Sequence, residues 1–136
     1  MVKVILGLKG SGKTKKIIDL VKTAAEQERG NVVCIEKGYT LTYDIPHTVR
    51  LVRVPDYSFG TYEFLKGFIS GMHAGNYDIT QIFIDGLTGA VSEPLDGRLE
   101  DFLDWCESFS EREGVKFTMA VTIDEGAASE GVRKYM

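Results

Sequence analysis

Val2-Lys3-Val4-Ile5-Leu6-Gly7-Leu8-Lys9-Gly10-Ser11-Gly12-Lys13-Thr14 is the stretch that decides how this chain reads. Residues 2–6 are mostly β-branched or apolar, which suits a strand covered on both faces. Residues 7–14 then fit G-x-x-x-x-G-K-[ST] at every fixed position. Beyond them, Ile17, Leu20, Val21, Ala24 and Ala25 recur at helical spacing as far as about Glu28. A glycine-rich turn is thus held between a strand and a helix. Gly10 and Gly12 permit positive φ and close approach of a ligand to the main chain. Successive N–H groups point inward, and the helix N-terminus adds a positive partial charge. Phosphate is the natural guest. At average residue frequencies the pattern arises by chance in roughly half a percent of chains of this length.

Outward from this turn, elements alternate. Val32-Val33-Cys34-Ile35 reads as a second strand and Val49-Arg50-Leu51-Val52-Arg53-Val54 as a third. The third has the alternation of a half-exposed or edge strand, and Arg50 and Arg53 are read as sharing one of its faces, solvent-facing or toward a phosphate. Gly30 stands where a left-handed C-cap glycine belongs. Tyr62, Leu65, Phe68, Ile69 and Met72 mark a helix ending near Gly75, and residues 79–84 a strand. Leu99, Phe102, Leu103, Cys106 and Phe109 mark an acidic helix closed by Gly114. Residues 115–123 form the last strand, and about 125–135 a short final helix. The alternation predicts an α/β fold, a three-layer doubly wound and mostly parallel sheet. Strand 2–6 is expected at its centre, with the turn at that strand's carboxyl end.

Composition sets the limits. The 136 residues suit a single domain, 1–136. With 43% hydrophobic and 26% charged residues, the chain is ordinary globular material. No apolar run is long enough to span a bilayer, and the first residues offer no signal-peptide cleavage region. Cys34 and Cys106, 72 positions apart, make no disulfide framework, so a cytoplasmic home is expected. Residues 1–68 carry 11 Lys/Arg against 7 Asp/Glu, and residues 69–136 carry 5 against 13. The acidic excess, mainly in 93–113, suits a solvated helix face or a partner surface. It argues against a nucleic-acid footprint, which needs a basic stripe.

A triphosphate site needs a second element. Lys13 would meet the β- and γ-phosphates and the Thr14 hydroxyl would ligate Mg²⁺. Gln81-Ile82-Phe83-Ile84-Asp85 is an apolar strand ending in an acid, suited to holding Mg²⁺ through water. Asp124 also ends a strand and competes for that role. Thr122 is either a polar sensor of the γ-phosphate or a plain strand-end threonine. Lys9 reads as solvent-exposed. His47 and His73 have no metal-ligand spacing, and His73 is expected at the surface or boundary. Trp105 suits core packing or an oligomer contact. Tyr39 and Tyr43, in the loop at 36–47, either pack there or stack on a base.

With both elements in hand, the chain resembles the P-loop NTPase superfamily, Gly7, Leu8, Lys9, Gly10, Ser11, Gly12, Lys13 and Thr14 matching its Walker A loop and Asp85 its Walker B acid. The resemblance implies a doubly wound parallel sheet that binds ATP or GTP with Mg²⁺. In layout the chain looks similar to RecA-like ATPases and to short bacterial P-loop ATP-binding proteins. RecA-like relatives place another strand between the Walker A and Walker B strands, a place residues 115–123 can fill.

Departures from the family pattern narrow the function. Many such ATPases carry a water-polarising glutamate directly after the Walker B acid; here Gly86 follows Asp85. Some RecA-like proteins place that glutamate at the end of the second strand, where Glu36 stands either as catalyst or as an ordinary loop residue. Glu93 and Glu125 are weaker rivals. No N-K-x-D reads guanine, no cysteine cluster builds a zinc module, and no arginine-rich lid is present. The expected function is Mg²⁺-dependent ATP binding by a slow ATPase or an ATP-responsive switch acting on a protein partner or within a homo-oligomer. A small-molecule or nucleotide kinase is the alternative.

Overall fold

The computed structural model describes residues 1–38, 44–54, 60–87 and 97–136. Five strands form one all-parallel sheet: β1 (Val2–Gly7), β2 (Asn31–Glu36), β3 (Arg50–Arg53), β4 (Ile79–Asp85) and β5 (Lys116–Thr122). Their spatial order is β1-β5-β4-β2-β3. Helices α1 (Lys13–Gln27), α2 (Tyr62–Gly75), α3 (Gly97–Glu113) and α4 (Glu130–Arg133) flank it. The predicted final helix at 125–135 divides into a 3₁₀ turn, Glu125–Ala127, and the short α4.

The strand order decides which helix lies where. The β1-to-β2 connection moves across the sheet one way; β3-to-β4 and β4-to-β5 move the other way. Right-handed crossovers then put α1 on one face and α2 and α3 on the opposite face. The side chains agree. Ile17, Val21 and Ala24 of α1 pack on Val32, Cys34, Phe83 and Ala120. Leu65 and Ile69 of α2 and Phe102, Leu103 and Phe109 of α3 pack on Val33, Ile82, Phe117 and Met119. Registers such as Val4↔Met119, Ile84↔Met119 and Ile35↔Ile84 lay each apolar row straight across the sheet.

Phe117, fully buried on β5, sits under α3 with its ring centroid 6.0 Å from that of Phe109. Phe117→Ala is expected to cost about 3–5 kcal/mol in urea unfolding. A loss under about 1 kcal/mol would mean that this layer closes over the gap.

Several expectations need correction. Strand β1 lies at the margin of the sheet, with β5 as its only strand neighbour among the described residues. Nor are both of its faces fully covered: Val2, Val4 and Leu6 are buried on one, whereas Lys3 is exposed and Ile5 half-buried on the other. The free edge is covered by other means: the Val4 N–H donates to the Tyr135 carbonyl at 2.7 Å, and the Val2 N–H to the Glu107 carboxylate at 3.0 Å. Gly30 has no positive φ, and Glu28 is the cap of α1. What requires glycine at 30 is proximity to the start of β4, since a Cβ there would lie 2.3 Å from the Asp78 carbonyl. Gly114, at φ +68°, does close α3 as expected.

Arg50 and Arg53 face opposite sides, because three residues in a strand reverse the direction of the side chain. Arg50 is in register with Val33 and Arg53 with Glu36. His73 is buried, because it follows Leu65 and Ile69 at i+8 and i+4 on the inner stripe of α2. Its ring meets Phe109 edge-on, and Nδ1 lies 4.0 Å from the Glu113 carboxylate. Trp105 stacks between Phe102 and Phe109 against the core.

Candidate functional site

The turn between β1 and α1 takes its shape from its glycines. Gly10 and Gly12 have φ of +85° and +90°, and Gly12 caps the helix in the left-handed conformation with no side-chain cap. The N–H groups of the first turn of α1 are therefore without a side-chain cap at Gly12. Gly7 is required for a different reason: a Cβ there would lie 2.3 Å from Ser11 Oγ, so the turn folds directly over it. The Ser11 N–H donates to the Leu8 carbonyl at 3.1 Å, which closes the bend. Lys13 curls back across the same bend. Its Nζ donates to the Leu8 carbonyl at 2.9 Å and approaches Ser11 Oγ at 3.4 Å. The Leu8 side chain points to solvent.

Across the intervening strand β5, the end of β4 brings Asp85 to the start of α1. The Thr14 hydroxyl donates to the Asp85 carboxylate, with distances of 3.3 and 3.4 Å to its two oxygens. Asp85 is only 5% exposed. Burial pushes its carboxyl above the usual range, opposed by the Thr14 hydrogen bond and by the charges of Lys37 and Lys13. Lys13 is held below the usual lysine range, first by desolvation and then by Lys37, with Asp85 opposing.

These groups border a cleft of about 320 Å³ lined by Lys9, Lys13, Lys37, Thr14, Asp85 and Thr122, with Gly10, Gly12 and Gly86 between them. Three ammonium groups and a turn of main-chain N–H groups suit a polyanion. A hydroxyl beside a carboxylate is a hard oxygen pair of the kind that takes part in Mg²⁺ sites, where phosphates and water complete the shell. Among the described residues, no group of three or more His, Cys, Asp or Glu side chains forms a metal site made by protein alone.

The other site residues expected from the sequence are dispersed. Asp124 accepts from the Gly126 N–H at 3.0 Å and caps the 3₁₀ turn. With Glu125 it borders a separate cleft of about 310 Å³ on the far side of Lys13, beside Lys16. Glu36 is in register with Asp85 and only 1% exposed, with Arg53 Nε 3.9 Å from its carboxylate. It does not line the phosphate-sized cleft. Asp85 and Glu36 together, after burial, push the neighbouring Cys34 thiol up to about 12. Tyr39, Tyr43 and Glu93 lie outside the described residues.

Lys37 is the residue that sequence reading missed. It follows Glu36 in what reads as an irregular loop. Its place in the cleft depends on β2 lying beside β4, a pairing no local pattern announces.

A larger cleft, about 860 Å³, runs along the outer edge of β3 past Asn31, Pro46, Arg50, Met72 and Asn76. It shares no lining residue with the cleft at Asp85. Among the described residues, no helix is long and apolar enough to cross a membrane. A scan of the chain against protein-family models gives no match, and a search of curated protein sequences gives none.

Proposed function

We propose that this chain is a P-loop protein that binds ATP with Mg²⁺ and acts as a slow ATPase or as an ATP-responsive switch. The observation that carries this reading is the Thr14–Asp85 hydrogen bond, which joins the end of one motif to the end of the other across 71 residues. The parallel sheet already brings the carboxyl ends of β1 and β4 to one rim; the hydrogen bond places a hydroxyl and a carboxylate close enough to serve one ligand. The strand between β1 and β4 is also the arrangement that the RecA-like resemblance implies.

In this reading the N–H groups of residues 10–14 wrap the β-phosphate, and Lys13 leaves the Leu8 carbonyl for the β- and γ-oxygens. Thr14 and Asp85 are the residues that would hold a magnesium ion, which would neutralise charge on the phosphates. Among the described residues, none that lines this cleft offers a ready base for turnover. Gly86 has no side chain to polarise water, and Glu36 is buried beside Arg53 rather than turned to the cleft. Among the described residues no arginine lines the cleft. Among the described residues, this arrangement suits retention of ATP better than rapid hydrolysis, which is what a switch needs.

Calorimetry with ATP, with and without Mg²⁺, tests the proposal. At a hundredfold excess over Kd the nucleotide should also stabilise the protein by about 2.7 kcal/mol. Phosphate release from the dilute protein should stay below ~1 s⁻¹, the bottom of the ordinary enzyme range. Glu36→Gln should leave that rate unchanged. No binding heat and no thermal shift at millimolar ATP would refute nucleotide binding; a fast rate abolished by Glu36→Gln would restore Glu36 as the base.

A further inference from the structure

We infer that Lys37 is a second phosphate cation built into this chain, one that meets the outermost phosphate of a bound nucleoside triphosphate. The inference rests on the nucleotide-binding reading and adds to it a residue that neither motif contains.

Three features converge on Lys37. The first is register. Glu36, the last residue of β2, lies directly beside Asp85, the last residue of β4, so the chain emerges next at the mouth of the cleft. The second is the path of the side chain. A Cβ on Gly86 would lie 2.7 Å from Lys37 Cδ, 3.2 Å from Cγ and 3.3 Å from Cε. The stem is therefore laid over the one residue beside Asp85 that has no side chain. Gly86 also has φ +72°, a conformation that disfavours any replacement. A glutamate at 86 would occupy the space of this stem, so the missing base and the added cation are two sides of one arrangement.

The third feature is electrostatic. Lys13, Lys37 and Asp85 all line the one cleft. Two ammonium groups facing one cleft repel each other, and a polyanion between them turns that repulsion into attraction. Lys13 comes from the turn side and Lys37 from the β2–β4 side. A triphosphate whose β-phosphate occupies the turn extends its terminal phosphate toward Asp85 and Lys37. The bland alternative is that Lys37 merely offsets the charge of Asp85. That alternative makes a different prediction, because removing Lys37 would then favour Mg²⁺ and act equally on tri- and diphosphates.

The test is calorimetry of Mg²⁺-ATP and Mg²⁺-ADP on the full chain and on Lys37→Ala, Lys37→Arg and Gly86→Ala. Lys37→Ala should weaken ATP about ten- to hundredfold, the range of a charge-assisted hydrogen bond, and ADP by no more than about twofold. Lys37→Arg should recover most of the ATP affinity. Gly86→Ala should also weaken ATP selectively, and should add little further loss in the Lys37→Ala background, because both act on one stem. Equal losses for ATP and ADP, no loss, or a gain shared by both nucleotides would overturn the role of Lys37 while leaving nucleotide binding intact. A wild-type chain that binds neither nucleotide would overturn both. Lys37 is exposed and Lys37→Ala removes no core contact, so its fold, checked by circular dichroism, should match the wild type.

Discussion

Lys13→Ala should lose about a hundredfold or more in affinity for Mg²⁺-ATP, enough to remove binding from the calorimeter's range. Lys13 is the cation nearest the turn's own main chain, and its Nζ holds the Leu8 carbonyl and touches Ser11 Oγ. Both contacts are local to residues 8–13, so the variant should unfold within about 0.5 kcal/mol of the wild type, as surface substitutions do. Unlike Lys37→Ala, it should weaken ADP severely as well as ATP, because Lys13 would meet the β-phosphate that both nucleotides carry. Lys13→Arg should not rescue it: the compact ammonium fits a turn closed over Gly7, whereas a planar guanidinium needs more room. A folded Lys13→Ala that binds ATP within about threefold of the wild type would refute the role of the turn.

Asp85→Asn should separate two effects that an ordinary inactivating mutation would mix. Binding of ATP without magnesium should be unchanged or slightly tighter, since a negative charge leaves the cleft. The gain that Mg²⁺ confers should fall about 10–100-fold, the usual cost of losing a carboxylate that holds a metal through its outer shell. Equal losses with and without magnesium would remove Asp85 from the metal's neighbourhood. The same substitution should stabilise the protein without ligand.

The reason lies in the direction of the Asp85 shift. Burial raises its carboxyl above the ordinary value of 3.8, so the folded state takes up a proton before the unfolded state does. Ionised Asp85 therefore weakens the fold at neutral pH. That penalty disappears as pH falls through the raised folded value toward 3.8. Asn carries no such charge, so Asp85→Asn should melt higher than the wild type at pH 7, and the difference should shrink as pH is lowered. A lower melting temperature at pH 7 would mean that the Thr14 hydrogen bond outweighs desolvation. This is the trade of stability for function expected where a site keeps a charge out of water.

Both predictions rest on residues that were legible in the sequence, and the reasons are local. The turn at 7–14 is fixed by glycine conformations and by the strand and helix that flank it, all within 27 residues. Asp85 is legible because an apolar strand ending in an acid is a contiguous pattern. Element type was legible for the same reason, and β3 was recognisable as an edge from its alternation. Lateral order was harder. An apolar run such as residues 2–6 stays silent on whether strands pair with both edges, and β1 lies at the margin with Lys3 exposed on its less covered face. The faces of Arg50 and Arg53 follow from simple period-two counting. Gly30 satisfied a helix-end rule in sequence, but its real constraint is an approach by Asp78 and Thr80, nearly fifty residues on. Lys37 was invisible because its importance comes from the β2–β4 register, a relation between segments rather than within one.

The pairing of β1 with β5 also sets an order of events at the ribosome. The strand that leads into the turn at 7–14 is made before the rest of the sheet, yet Val2 finds its sheet partner at Phe117. At about 5–20 residues per second, that partner is on the order of ten seconds away when Val2 is added. Until then the first strand has no neighbour within the sheet, and the cover that Glu107 and Tyr135 give its outer edge is also unmade. Strands β2, β3 and β4 can assemble in the meantime, since their pairings lie wholly within residues 31–85. The sheet position of the strand that leads into the turn is therefore among the last to be fixed as these residues are made. A chain stalled before β5 should emerge with β2, β3 and β4 paired and β1 without a strand beside it.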